Sequence, residues 1–546
     1  MKRSLAILLS ACLVFLCCSC EEKGSDSSNK TIRFHLSAEP QTLDPQIADD
    51  YPAVVAVEAL YEGLVRLDAE NQPYPGVAES WTSNADFTEF TFRLRSDAKW
   101  SNGDPVTADD FVFALRRALS PATNSKTCEP LYCIQNAQEV RAGSAAVESL
   151  GVTAKDSRTL VIRLEYPYEA FPALTAITPF MPCQQKFFEE TSGKYGLEVN
   201  SVLGNGPFKI RNRYGWEHGK HLELSRSSTY SGENSPSPAS LIFSIGSAEA
   251  DVSDIIKALD DSVVDAVELP ASLLVEADSK GFPIQAFQDT TWGLVFNTSQ
   301  LYHEEPNIMR DASIRRAFLQ TLDREKLTAF VPENSSPAQD IITPGTTYLG
   351  KKYRELAGSG MLLSQDDASV YQVPDALNAM GYSEIPVVTV LCPDDEKIKL
   401  MVNEMLATWN QKLGSYFNME PLPFSDLQKR VASGNYQIAL YRLRPNGDGP
   451  MQLLSFFSSS SSSNPAFLSD PAYDAMLDQA KTLGGMEALD FYRQAEAYLN
   501  EQGIFYPLYY ESRYYACGKD VTGIVFHPYQ GGVDFIAAGK GKPKEN

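Results

Sequence analysis

The segment from Leu440 to Pro450, LYRLRPNGDGP, gathers side chains able to hold a charged solute. Arg442 and Arg444 carry planar guanidiniums, which favour a carboxylate if they face a cleft and are ordinary solvated charges if they face outward. Asn446 offers an amide, which accepts a hydrogen bond without a full charge, and Asp448 a carboxylate, which suits an ammonium group. The run Asn446-Gly447-Asp448-Gly449 also has the composition of a simple turn.

Bond-breaking chemistry has less support. There is no GxSxG or HExxH motif, and no complete phosphate loop. The five histidines, His35, His218, His221, His303 and His527, are scattered. His218 and His221 form an HxxH in a polar stretch, and no Cys/His cluster has zinc spacing. The expectation is a binding protein, not an enzyme, with no cofactor and no metal. A formal charge of −23 argues against a nucleic-acid partner, since phosphate wants a basic face.

A chain of 546 residues usually folds as two or more lobes, and 43% hydrophobic residues suit a sizeable core. Alternation predicts strands at Thr31–Leu36, Arg158–Leu164, Leu241–Ile245, Thr291–Asn297 and Phe505–Tyr510. Pro386–Leu391 and Tyr436–Tyr441 read as buried strands. Helices are expected at Val54–Val65, Val252–Leu259, Asp311–Leu327, Lys397–Leu413, Tyr473–Leu483 and Leu489–Asn500. The glycines of Leu203–Ile210 read as a tight turn. Strands alternate with helices, so the fold class is α/β or mixed α+β.

The stretch Phe87–Leu119, FTEFTFRLRSDAKWSNGDPVTADDFVFALRRAL, combines a strand, an Asn102–Pro105 turn and a helix. Thr107 is placed as its N-cap and Asp110 as the acid of a capping box. With GVAESW (Gly76–Trp81), AEPQTLDP (Ala38–Pro45), YEGL (Tyr61–Leu64) and LGNGPFKI (Leu203–Ile210), this order resembles the family 5 extracytoplasmic solute-binding proteins. These are the peptide and nickel receptors of ABC importers. The helix ASIRRAFLQTLDREKL, after Asp311, is similar to another family element.

The resemblance implies a two-lobed periplasmic-binding-protein-like fold with a third domain. It divides the chain into 31–63, 187–289 and 514–546 for lobe I, 64–186 for the extra domain and 290–513 for lobe II. It also implies capture of a peptide or related solute, as a monomer, and delivery to ABC permease subunits. Such a receptor replaces the hydration of a peptide backbone with strand-edge hydrogen bonds and closes two lobes over the solute. The family's ligand loop falls on Leu440–Pro450, with Leu443 inside it, and its ammonium-binding Asp falls on Asn446, with Asp448 as a substitute. Asp49 and Tyr51 match a loop that contacts peptide backbone, and Phe424 an aromatic lid. Trp292 and Tyr510 lie near the two crossings between lobes. Core packing is the competing reading for each aromatic. The arginines at 442 and 444 imply a specificity that has moved away from generic oligopeptides.

Met1-Lys2-Arg3, the apolar run Ser4–Leu16 and Ser19-Cys20 resemble a bacterial lipoprotein signal over residues 1–19. Cys20 would carry the lipid and residues 20–30 form a tether, placing the protein in the periplasm or at the cell surface. Cys128, Cys133, Cys183, Cys392 and Cys517 follow, an odd number that leaves at least one thiol free. Two other functions stay open at this point: a surface lipoprotein acting as adhesin or signalling co-receptor, and a nickel or metal-chelate receptor of the same fold.

Overall fold

One long mixed sheet runs through the molecule. The structure, a computed structural model, describes residues 31–246, 252–333, 335–360, 362–414, 417–445, 447–529 and 532–541. The signal, the tether and Cys20 lie outside the described residues. So does Asn446.

Thr31–Leu36 buries Ile32, Phe34 and Leu36 on one face, as its alternation requires, and pairs in parallel with Ser240–Ile245 and Ala266–Leu269. Two 13-residue strands, Ile284–Phe296 and Phe505–Cys517, run antiparallel through the middle of the sheet. One end of this pair binds Ala266–Leu269 and, beyond it, the strands around Thr31–Leu36. The other end binds Ile438–Leu443, followed by Val388–Pro393 and Phe417–Leu422. The two strands thus join two half-sheets with separate apolar cores. Phe34, Phe243 and Trp100 belong to one core, and Trp409, Phe318 and Tyr506 to another. The sequence predicts only the apolar halves of these strands. Gln285–Gln288 and Glu511–Arg513 are too polar to read as strand, and each segment is extended because the other supplies its hydrogen bonds.

A four-stranded antiparallel sheet, Ala78–Ser83, Glu89–Leu94, Thr159–Arg163 and Val152–Asp156, lies within residues 64–186. The adjoining helix Ala108–Leu119 has the predicted capping box, with Thr107 N–H donating to Asp110 Oδ2 at 2.8 Å. The same oxygen accepts from the indole of fully buried Trp100 at 3.2 Å. The motif that identifies the scaffold therefore ties a strand, a turn and a helix together. Asp110→Ala removes the cap and orphans a buried N–H, so it is expected to cost about 3 kcal/mol. Denaturant unfolding checks this; an unchanged midpoint would show the cap to be dispensable.

Three expectations, two helices and a glycine turn, are corrected. The helix expected at Val54–Val65 is Tyr51–Leu60, capped by Asp50, which accepts from Ala53 N–H at 2.8 Å. It stops at Leu60 because Gly206 N–H captures the Leu60 carbonyl at 2.9 Å and Tyr61 turns extended. The glycines at 204 and 206 serve this close approach and not a tight turn, since a Cβ on Gly204 would sit 2.1 Å from the Leu60 oxygen. The helix after Asp311 divides into Ala312–Gln320 and Arg324–Thr328, because Asp323 caps the second piece. Cys128 and Cys133 are separate buried thiols that point at the Ser125 and Pro130 carbonyls.

Candidate functional site

Where the long strands pass from one half-sheet to the other, the register shifts between Phe287 and Thr290, leaving Asp289 in a bulge. Its buried carboxylate accepts from Arg513 Nε at 3.1 Å and from Arg513 Nη2. Arg513 also donates to the Tyr515 hydroxyl at 2.7 Å and to the Tyr529 carbonyl at 3.0 Å. Arg444 donates to Thr290 Oγ1 at 2.8 Å and lies 3.8 Å from Asp289 Oδ1. Burial pushes the Asp289 carboxyl up, but Arg513 and Arg444 outweigh it and hold the group below the usual carboxylate range.

Beside this knot, Trp292 and Arg442 are cross-strand neighbours. The Trp292 indole donates to Glu511 Oε2 at 2.7 Å and stacks on Tyr509 with ring centres 5.9 Å apart. Phe424 meets Trp292 at 5.5 Å, and the Arg442 guanidinium lies 4.2 Å over the Phe424 ring. Among the described residues Arg442 has no carboxylate partner within ion-pair distance. Burial, then the charge of Arg444, lowers its pKa.

A cavity of about 740 Å³ opens between the two halves. Glu58, Arg66 and Tyr168 line it from one side, and Tyr348, Asp448 and Tyr492 from the other. Contacts link its lining residues across the cavity: Tyr529 OH donates to Asp448 at 2.9 Å, and Lys481 lies 5.5 Å from the Tyr166 ring centre; outside the lining, Ser462 Oγ donates to Glu129 at 3.1 Å.

The structure distributes the predicted residues over several places. Trp292, Phe424 and Arg442 are brought together, with Arg444 adjoining through Asp289. Asp448 lines the cavity, but its carboxylate already accepts from Thr347 N–H, Gly449 N–H and Tyr529 OH, as well as the Thr347 hydroxyl. Leu443 is buried in an apolar cluster. Tyr510 is also buried, and its hydroxyl is locked to the Asp340 backbone at 3.0 and 3.1 Å. Asp49 is exposed and paired with Lys126 at 3.3 Å. Tyr51 packs near Tyr515, ring centres 6.3 Å apart.

Among the described residues, no group of three or more His, Cys, Asp or Glu side chains converges to hold a metal ion, and no helix is long and apolar enough to cross a membrane. Residues 72–465 match the middle region of the bacterial extracellular solute-binding proteins, family 5. The chain belongs to this family. It is 27% identical to the dipeptide-binding protein DppE of Bacillus subtilis over 519 residues, covering 93% of this chain and 91% of that one. It is 28% identical to the periplasmic murein peptide-binding protein MppA of Escherichia coli, covering 87% and 86%. Among solved structures, the substrate-binding domain of an oligopeptide ABC transporter from Bacillus anthracis superposes with a TM-score of 0.76 at 26% identity, covering 94% of this chain and 99% of that one.

In this family 5 protein, sequence reasoning missed Glu58, Arg66, Tyr168, Tyr348 and Tyr492, which the cavity brings together. Only Glu58 left a local signal: it is the one charged residue in the otherwise apolar helix YPAVVAVEAL. The tyrosines are indistinguishable from core aromatics until the halves face each other.

Proposed function

We propose that the protein captures a peptide, or a solute with a peptide's backbone chemistry, between its two halves and hands it to the permease of an ABC importer. The observation that carries this reading is the cavity of about 740 Å³ lined from both halves, which the long strands Ile284–Phe296 and Phe505–Cys517 join. A drug-sized or peptide-sized solute fits such a volume. The strand Ile438–Leu443 pairs along one edge with Ile284–Phe296, but on its other edge only Ile438 and Ala439 pair with Val388–Pro393. Its remaining edge is suited to backbone hydrogen bonds from an extended ligand. The relatives named above bind dipeptides and murein peptides, which supports the same class of solute here.

The division of the chain near 290 and 513, with residues 64–186 as an added domain, belongs to this reading. The bulge at Asp289 is the place where a change of strand direction is absorbed most easily. The N-terminal signal and Cys20 support export and lipid anchoring to a bacterial membrane. The work is capture and release, with no covalent step.

Native mass spectrometry of freshly purified protein tests this. The expected result is a bound mass that fragments as a peptide and that is lost on partial unfolding. Protein that carries no such mass and is not stabilised by any member of a di- to pentapeptide mixture would overturn the reading.

A further inference from the structure

We propose that Glu58 anchors a cationic group of the bound solute, an ammonium or guanidinium supplied by the ligand's N-terminus or by a basic side chain. This rests on the reading of the cavity as a peptide site.

The other carboxylates at the cavity wall are already matched. Glu62 pairs with Arg95 at 2.9 Å and Arg66 at 3.6 Å. Asp534 pairs with Arg66 at 2.7 Å. Asp448 is held by Thr347, Gly449 and Tyr529, and Glu169 is exposed. Glu58 is different. It projects from a helix whose other residues are apolar or aromatic, beside the Gly532 backbone, and accepts from the Val533 N–H. Among the described residues it has no cation within ion-pair distance, because Arg66, the nearest positive charge that acts on it, is committed to Asp534 and Glu62.

A carboxylate set in a cavity wall without a counter-ion is a costly arrangement unless something arrives to pair with it. The aromatic rings of Trp81, Tyr168 and Tyr492 line the same cavity, and an aromatic face attracts a cation. Burial, and then the repulsion of Asp534 against the pull of Arg66, pushes the Glu58 carboxyl up to about 7. His527, on the same wall, is held neutral by burial, with its pKa lowered to about 4, and so does not titrate with it. A bound cation should therefore favour the ionised carboxylate and release a proton near neutral pH.

The test is calorimetry of the full mature chain and Glu58→Gln with three probes: Ala-Lys-Ala, N-acetyl-Ala-Lys-Ala and Ala-Met-Ala. The substitution keeps the shape of the side chain and removes its charge. The expected result is that Glu58→Gln weakens Ala-Lys-Ala by about tenfold or more. If acetylation abolishes that dependence, the cation is the N-terminus; if Lys→Met in the probe abolishes it, the cation is the side chain. The dependence on Glu58 should grow as pH rises from about 6 to 8, because the carboxylate, not the acid, pairs with the cation. Equal effects of Glu58→Gln on all three probes, or none on any that bind, would overturn the anchor while leaving peptide capture intact. Failure of all three probes to bind the unsubstituted protein would count against the peptide reading and the anchor together.

Discussion

Asp289→Ala is expected to destabilise the protein by about 3–5 kcal/mol, the cost of stripping one partner from a buried ion pair. The substitution leaves the buried Arg513 guanidinium without its carboxylate and brings no other acid to replace it, while Arg444 stands close by. Two like charges then face each other where the halves join. The loss should appear as an earlier denaturant midpoint, and Asp289→Asn, which keeps the shape and some hydrogen bonds, should fall between. The sign with pH follows from the lowered carboxyl. Its stabilisation is fully present above the unfolded value of about 4 and is lost as pH falls through the lower folded value. The variant should therefore lose much of the unsubstituted protein's acid sensitivity in that window. A midpoint within about 1 kcal/mol of the parent would mean that the knot is not a structural fastening.

Arg442→Met should do the reverse: weaken ligand binding without weakening the fold. The guanidinium is half-buried over Phe424, has no acid partner within ion-pair distance among the described residues, and is repelled by Arg444. Methionine keeps the apolar stem on the aromatic ring and removes the charge. If the guanidinium receives a carboxylate of the solute, affinity for Ala-Glu-Ala should fall about 30-fold or more, with Ala-Gln-Ala less affected. Thermal stability should hold or rise. Isothermal titration of both peptides, with melting curves in parallel, checks this. Equal affinity of the parent protein for acidic and neutral peptides would remove the case for a shifted specificity. A fall in melting temperature matching the fall in affinity would assign Arg442 to packing. Arg442 is not among the residues that line the cavity with Glu58, so the two substitutions are independent tests.

The stretch Phe87–Leu119 was legible because its information is local. A strand of alternating residues, a turn and a capped helix each form from neighbours in the chain, and Thr107, Asp110 and Trp100 meet within one turn of helix and one loop. The same holds for Thr31–Leu36 and for most helices. Boundaries failed where distant chain intervened: Gly206 ends a helix at Leu60, and Asp323 interrupts one that periodicity alone would continue.

The site divides along the same line. The amino-acid order alone determined the family and the α/β class, since these depend on residue types at short spacing; Arg442, expected in a loop, lies on the strand Ile438–Leu443. Tertiary structure alone decided that Asp448 is spent on Thr347 and Tyr529, that Tyr510 is locked to Asp340, and that Glu58 faces a cavity with no cation within ion-pair distance among the described residues. The physical reason is that a charge is free or matched according to what lies within a few ångströms in space. Here those partners come from segments far apart in the sequence, within one half or across the two, that only the tertiary fold brings together.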